Sequence, residues 1–184
     1  MRMHDQRWYA LTARHQHEKP VAAALEMRNL ATFLPLYVSR RRWSDRTRTL
    51  ELPLFPGYIF CSLNAHEKSL ALSTPGVTGI VGFGGRPEPV PGFEIDNLMT
   101  IASSGLPVEP CALLKAGDEV TIDDGPLRGL RGKLLRDANR HQLVVGVQLL
   151  QRAIAVTLSA DQAWPVEPRR QPAPSERVAS AKAC

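Results

Sequence analysis

Apolar and polar residues change their spacing along the chain, and the changes divide it into segments. Trp8 to Ala13 reads as an opening strand, and residues 17–30 read as a helix. Pro20 falls in its first turn, where a missing N–H costs nothing, and Val21 and Leu25 share a face flanked by Ala24. Phe33 to Val38 predicts a second strand. Arg40 to Thr49 predicts a hairpin turning at Ser44-Asp45, and Leu54 to Leu63 a central strand. A short helix over His66 to Ser73, a strand over Val77 to Phe83 and a helix over Phe93 to Ala102 complete the first unit. This order predicts a compact α/β sandwich over residues 1–104. Residues 105–116 contain Gly105, Pro107 and Pro110 with little periodicity and read as a linker. Beyond it the period is two: Val120 and Ile122, then Leu143, Val145, Val147 and Leu149, then Ile154, Val156 and Leu158. Four or five short strands in so short a stretch predict closure into a small β-barrel over residues 117–165. The Pro-, Arg-, Ala- and Ser-rich residues 166–184 read as a disordered tail. The fold class is α+β.

In the central strand, Tyr58 and Phe60 fall on one face and Ile59, Cys61 and Leu63 on the other. The aliphatic face suits the core. The aromatic face then needs a cover, whether helices, the second domain, another subunit or a partner. Phe55 and Pro56 precede it in a stiff turn, and Phe83 ends the next strand after Thr74-Pro75-Gly76. Exposed aromatics are the usual anchors of protein–protein contacts.

Charge sharpens the picture. The net charge is +5, with 12 Lys/Arg against 9 Asp/Glu in residues 1–104, 7 against 7 in 105–165, and 4 against 2 in the tail. Arg40, Arg41, Arg42, Arg46 and Arg48 crowd the predicted hairpin beside Trp43, with Asp45 alone to offset them. Guanidinium forks match phosphate oxygens, so this loop suits local contact with a nucleic-acid backbone. A solvated hairpin without a partner is the bland alternative. The neutral balance over 105–165 suits a protein partner.

Nothing in the sequence assembles a catalytic centre, which argues against an enzyme and a cofactor. Asp123-Asp124-Gly125-Pro126 reads as a turn, since adjacent carboxylates point apart and no third ligand is near. Gly82-Phe83-Gly84-Gly85 lacks the Lys-Ser/Thr of a phosphate loop. The five histidines have no metal-ligand spacing, and three scattered cysteines indicate neither a zinc site nor a disulfide framework. No apolar run is long enough to cross a bilayer and no signal-peptide core follows the polar N-terminus, so a cytoplasmic protein without membrane partners is expected.

The run Pro53-Leu54-Phe55-Pro56-Gly57-Tyr58-Ile59-Phe60, followed by Thr74-Pro75-Gly76-Val77-Thr78-Gly79-Ile80-Val81-Gly82-Phe83, closely resembles the N-terminal domain of NusG-type transcription elongation factors. Trp8-Tyr9, His17-Glu18-Lys19 and Phe33-Leu34-Pro35 extend the resemblance, and Gly117-Asp118-Glu119-Val120 to Asp124-Gly125-Pro126 resembles the start of that family's KOW domain, an SH3-like barrel. The resemblance implies a monomeric transcription elongation or antitermination factor. Phe55, Pro56, Tyr58, Phe60 and Phe83 would grip the clamp helices of the largest catalytic RNA polymerase subunit. Lys68 and Ser69 would approach the gate loop of the second-largest subunit, although the threonines of one specialised branch are missing there. Arg14 and the hairpin arginines would lie near the non-template DNA strand at the upstream fork. Leu149, Leu150 and Arg152 would contact a small-subunit ribosomal protein or Rho, with Leu150 standing where the family has a bulky aromatic. The arginine density inclines the reading toward an operon-specific paralogue. A ribosome-associated KOW protein that binds RNA is the class-level alternative, disfavoured by the neutral barrel. The barrel is expected to be free of the N-terminal domain, leaving Tyr58 and Phe83 uncovered.

Overall fold

The computed structural model describes residues 6–42, 47–112, 118–122, 125–137, 140–158 and 166–168. Its first sheet is antiparallel, in the order β2 (Ala31–Phe33), β5 (Tyr58–Leu63), β1 (Arg7–Ala13) and β6 (Val77–Ile80), with β9 (Pro89–Val90) also pairing with β1. Register places Ala10 opposite Phe60 and Leu11 opposite Ile59. The period-two alternation thus gives this sheet two apolar faces. Tyr9, Leu11, Ile59, Cys61 and Leu63 lie under Val21, Ala22 and Leu25 of α1 (Glu18–Glu26) and Ala71 of α2 (Glu67–Leu72). Ala10 and Phe60 lie on the opposite face with Ile95, Leu98 and Ile101 of α3 (Gly92–Ser103).

Helix α1 is shorter than its apolar pattern predicts. It ends in a turn over Met27–Asn29, where Asn29 takes the left-handed conformation at φ 59°. The predicted strand 33–38 splits at Leu34-Pro35 into β2, which joins the main sheet, and β3 (Leu36–Arg42), which pairs with β4 (Thr47–Pro53). Proline has no N–H to continue the ladder. A second hairpin, β7 (Gly82–Phe83) with β8 (Arg86–Pro87), turns on Gly84 and Gly85 at φ 57° and 75°, the conformation that tight hairpins need.

The C-terminal half is a six-stranded antiparallel sheet ordered β10 (Val108–Ala112), β14 (Arg152–Leu158), β13 (Arg140–Val147), β12 (Arg131–Asp137), β11 (Asp118–Ile122) and β15 (Val166–Pro168). Two strands correct the sequence reading. Within the expected linker, Val108–Ala112 pairs with β14 over five residues, and Pro110 is accommodated because β10 is an edge strand. Within the expected tail, Val166–Pro168 pairs with β11. Gly132 is dictated by backbone proximity: a Cβ there would stand 2.6 Å from the Val144 carbonyl oxygen.

The two sheets are not separate bodies with separate cores. Phe55, Phe60, Ile95 and Leu98 belong to one continuous buried cluster with Val120, Ile122, Leu143, Val145 and Ile154. The expectation of a free C-terminal domain is corrected accordingly. The aromatic face of the first sheet and an apolar face of the C-terminal sheet each carry surface that water disfavours, and here they are buried together.

Candidate functional site

The aromatic turn before β5 is fixed by backbone geometry and one buried acid. Gly57 takes φ 84°, a left-handed conformation that glycine adopts without strain. Its N–H donates to Glu18 Oε1 at 2.8 Å, and its carbonyl accepts from the Ala13 N–H at 2.9 Å. Glu18 is buried at the start of α1, so the helix and β1 together hold the turn. Neither role was legible in the sequence, where Glu18 reads as an ordinary first-turn acid.

The turn sorts its aromatics by depth. Phe55 and Phe60 are 1% and 0% exposed and meet edge-to-face, with ring centres 5.5 Å apart. Phe33 lies 6.3 Å from Phe60. Pro56 is exposed and Tyr58 half-buried. Phe83, on the glycine hairpin, is 70% exposed.

The C-terminal sheet reaches this surface. The Arg152 guanidinium stands 5.2 Å from the Tyr58 ring centre. Asn97 Nδ2 on α3 donates to the Arg131 carbonyl at 3.3 Å, and the Gln148 N–H donates to Glu94 Oε1 at 3.5 Å. Glu94 is 3% exposed and its Oε2 has no hydrogen-bond partner. Burial raises its carboxyl pKa above the ordinary value, partly offset by the Gln148 N–H. A cleft of about 820 Å³ runs between α3 and the C-terminal sheet, with Phe93, Glu94 and Asn97 on one wall and Arg131, Lys133 and Gln148 on the other.

The sequence model of the family described as transcription termination factor NusG matches residues 6–99. The chain belongs to the NusG family. It is 28% identical to the transcription termination/antitermination protein NusG of Lactococcus lactis over 171 residues, spanning 86% of this chain and 92% of that protein. It is 28% identical to Escherichia coli K12 NusG over 170 residues, spanning 85% and 94%. A solved structure on domain interaction in Thermotoga maritima NusG superposes with a TM-score of 0.54 at 25% identity, covering 90% of this chain and 98% of that one. The protein is therefore a NusG-family transcription termination/antitermination factor of α+β fold.

Among the residues singled out in this NusG-family sequence, the structure brings Phe55, Pro56, Tyr58 and Phe60 together, but it places Phe55 and Phe60 in the interior, not on an open surface. Tyr58 is capped by Arg152, a correction to its expected freedom. On α2, Lys68 Nζ lies 4.3 Å from the Tyr9 ring centre, a packing role the sequence reading missed, while Ser69 is exposed. Arg14 is exposed after β1, and its backbone N–H donates to Gly76 at 3.0 Å, beside the Thr-Pro-Gly turn. Arg40, Arg41 and Arg42 pair across the hairpin with Thr49, Arg48 and Thr47. Arg46, Trp43 and the Ser44-Asp45 turn lie outside the described residues, as do Asp123 and Asp124. Leu150 is buried, Leu149 half-buried and Arg152 exposed at the edge of the interdomain contact. Among the described residues no cluster of His, Cys, Asp or Glu could hold a metal, and no helix is long and apolar enough to cross a membrane.

Proposed function

We propose that residues 1–104 bind RNA polymerase at the clamp of its largest subunit through the aromatic turn and the glycine hairpin, holding the clamp closed and suppressing pausing or termination. The carrying observation is Phe83, 70% exposed on the glycine hairpin, which leaves an aromatic ring in water where a partner could bury it. On the aromatic turn Pro56 is exposed and Tyr58 half-buried, over the buried Phe55–Phe60 pair. Arg14, Arg40, Arg41, Arg42, Arg46 and Arg48 supply contacts to non-template DNA near the upstream fork, which add affinity without sequence choice. Lys68 and Ser69 face the gate loop of the second-largest subunit.

The C-terminal KOW unit, residues 117–165 with β10 as an added edge strand, recruits a second protein, a small-subunit ribosomal protein or Rho, through Leu149, Leu150 and Arg152. In the closed arrangement Arg152 rests on Tyr58, so engagement of either partner requires the two units to part. The factor catalyses nothing; the energy comes from its different affinities for polymerase conformations. Capture of purified core polymerase by the immobilised full chain, and by a Tyr58→Ala, Phe83→Ala chain, tests the reading. Equal capture by both would sink the clamp assignment.

A further inference from the structure

Glu94 occupies an unusual position for a carboxylate. It sits in the first turn of α3, where an exposed acid is favoured in its ionised form by the helix N-terminus. In the closed arrangement it is instead buried against the C-terminal sheet. Its single hydrogen bond, from the Gln148 N–H at 3.5 Å, is at the outer limit of such contacts, and Oε2 has none. An ionised carboxylate has several acceptor sites to satisfy, and burying it half-satisfied is costly. A neutral carboxyl carries no such charge into the interface.

We propose that Glu94 is a proton-sensitive latch between the two halves of the chain, favouring the closed arrangement when protonated and loosening it when ionised. The proposal deepens the polymerase-binding reading and rests on it only for its consequence, which is uncovering Tyr58. The other charged groups on the cleft are Glu119 from β11 and Arg131 and Lys133 from β12, while Asp96 is nearby on α3 itself. Two cations and one anion opposite would favour the ionised form, yet burial outweighs them, since the carboxyl pKa is raised. Opening removes Gln148 and admits water, returning Glu94 toward its ordinary value of 4.5.

The sign follows from linkage. A carboxyl pKa raised in the closed form means that closure takes up a proton. Its contribution to closure is full below the open-form value and is lost as pH rises through the closed-form value. Between the two, the closed-to-open ratio falls by up to about tenfold per pH unit.

The test is nitrogen-15 relaxation on the full chain, which distinguishes two halves tumbling as one body from two tumbling separately. It is paired with a carbon-13 titration of the Glu94 carboxyl. In the unmodified chain, joint tumbling should give way to separate tumbling as pH rises, with a midpoint that coincides with the Glu94 titration. Glu94→Gln should tumble as one body across the range, and Glu94→Asp should keep the pH dependence. PH-independent tumbling of the unmodified chain overturns the latch, as does an unchanged pH profile in Glu94→Gln. If Glu94→Gln does not fold, a Glu94 titration displaced from the opening midpoint overturns it equally. Failure to capture polymerase, with the pH-dependent opening intact, removes the polymerase reading and leaves the latch standing.

Discussion

Arg152 of the C-terminal sheet caps Tyr58 of the N-terminal turn, its guanidinium 5.2 Å from the ring centre. Cation–π contacts at partly exposed sites contribute about 0.5–1 kcal/mol. A double-mutant cycle of Arg152→Ala and Tyr58→Leu, read as the closed fraction by relaxation, should return a coupling of that size. Arg152→Lys should retain part of it. A coupling of zero would mean that the two residues are neighbours without energetic consequence.

Phe60 and Phe83 should separate stability from binding. Phe60 is fully buried between Phe33 and Phe55, so Phe60→Ala should cost about 3–5 kcal/mol in chemical denaturation. Phe83→Ala should change stability by less than about 0.5 kcal/mol because the ring is already in water. Its effect belongs to polymerase capture, where an anchor aromatic contributes on the order of 2 kcal/mol. A large loss of stability in Phe83→Ala would place that ring in the core.

The arginine hairpin predicts a salt signature. Replacing Arg40, Arg41 and Arg42 by Gln should weaken association with a transcription bubble and flatten its salt dependence. Each lost phosphate contact should lower the slope of log affinity against log salt by about 0.7–0.9. Crosslinks from this hairpin should reach non-template DNA near the upstream edge, and crosslinks to protein alone would remove the DNA-contact reading.

Burial pushes the Cys61 thiol up from 9.0 to about 11, the Thr32 hydroxyl opposing and Glu67 adding slightly. The fold therefore favours the protonated thiol. That contribution is present below pH 9.0 and is lost as pH rises through about 11. Unfolding free energy should decline over this window, and Cys61→Ala should remove part of the decline. Cys111, whose thiol is also raised by burial, retains its own share. Rapid alkylation of Cys61 in the native chain at neutral pH would contradict its burial.

Much of the fold was legible because local pattern and local structure coincide. Leu143, Val145 and Val147 alternate, and β13 runs through them; Pro91-Gly92 announces α3. The aromatic turn was readable as a unit, since Pro56 and Gly57 restrict it before any tertiary contact forms. Strand β10 was not readable. Pro107 and Pro110 look like linker residues, and the segment becomes a strand only because β14 offers an edge to pair with.

The sequence by itself determined which residues share a face: Tyr58 with Phe60, Ile59 with Cys61 and Leu63, because a strand's period is set by its own backbone. It also left the aromatic face in need of a cover. Which cover closes it was decided by tertiary structure alone, through α3 and a sheet from the other half of the chain. The same long-range packing sank Phe55 and Phe60, left Phe83 in water and turned Glu94 from a first-turn acid into a buried carboxylate. Burial depends on what the chain brings back from far along its length, and no local period records that.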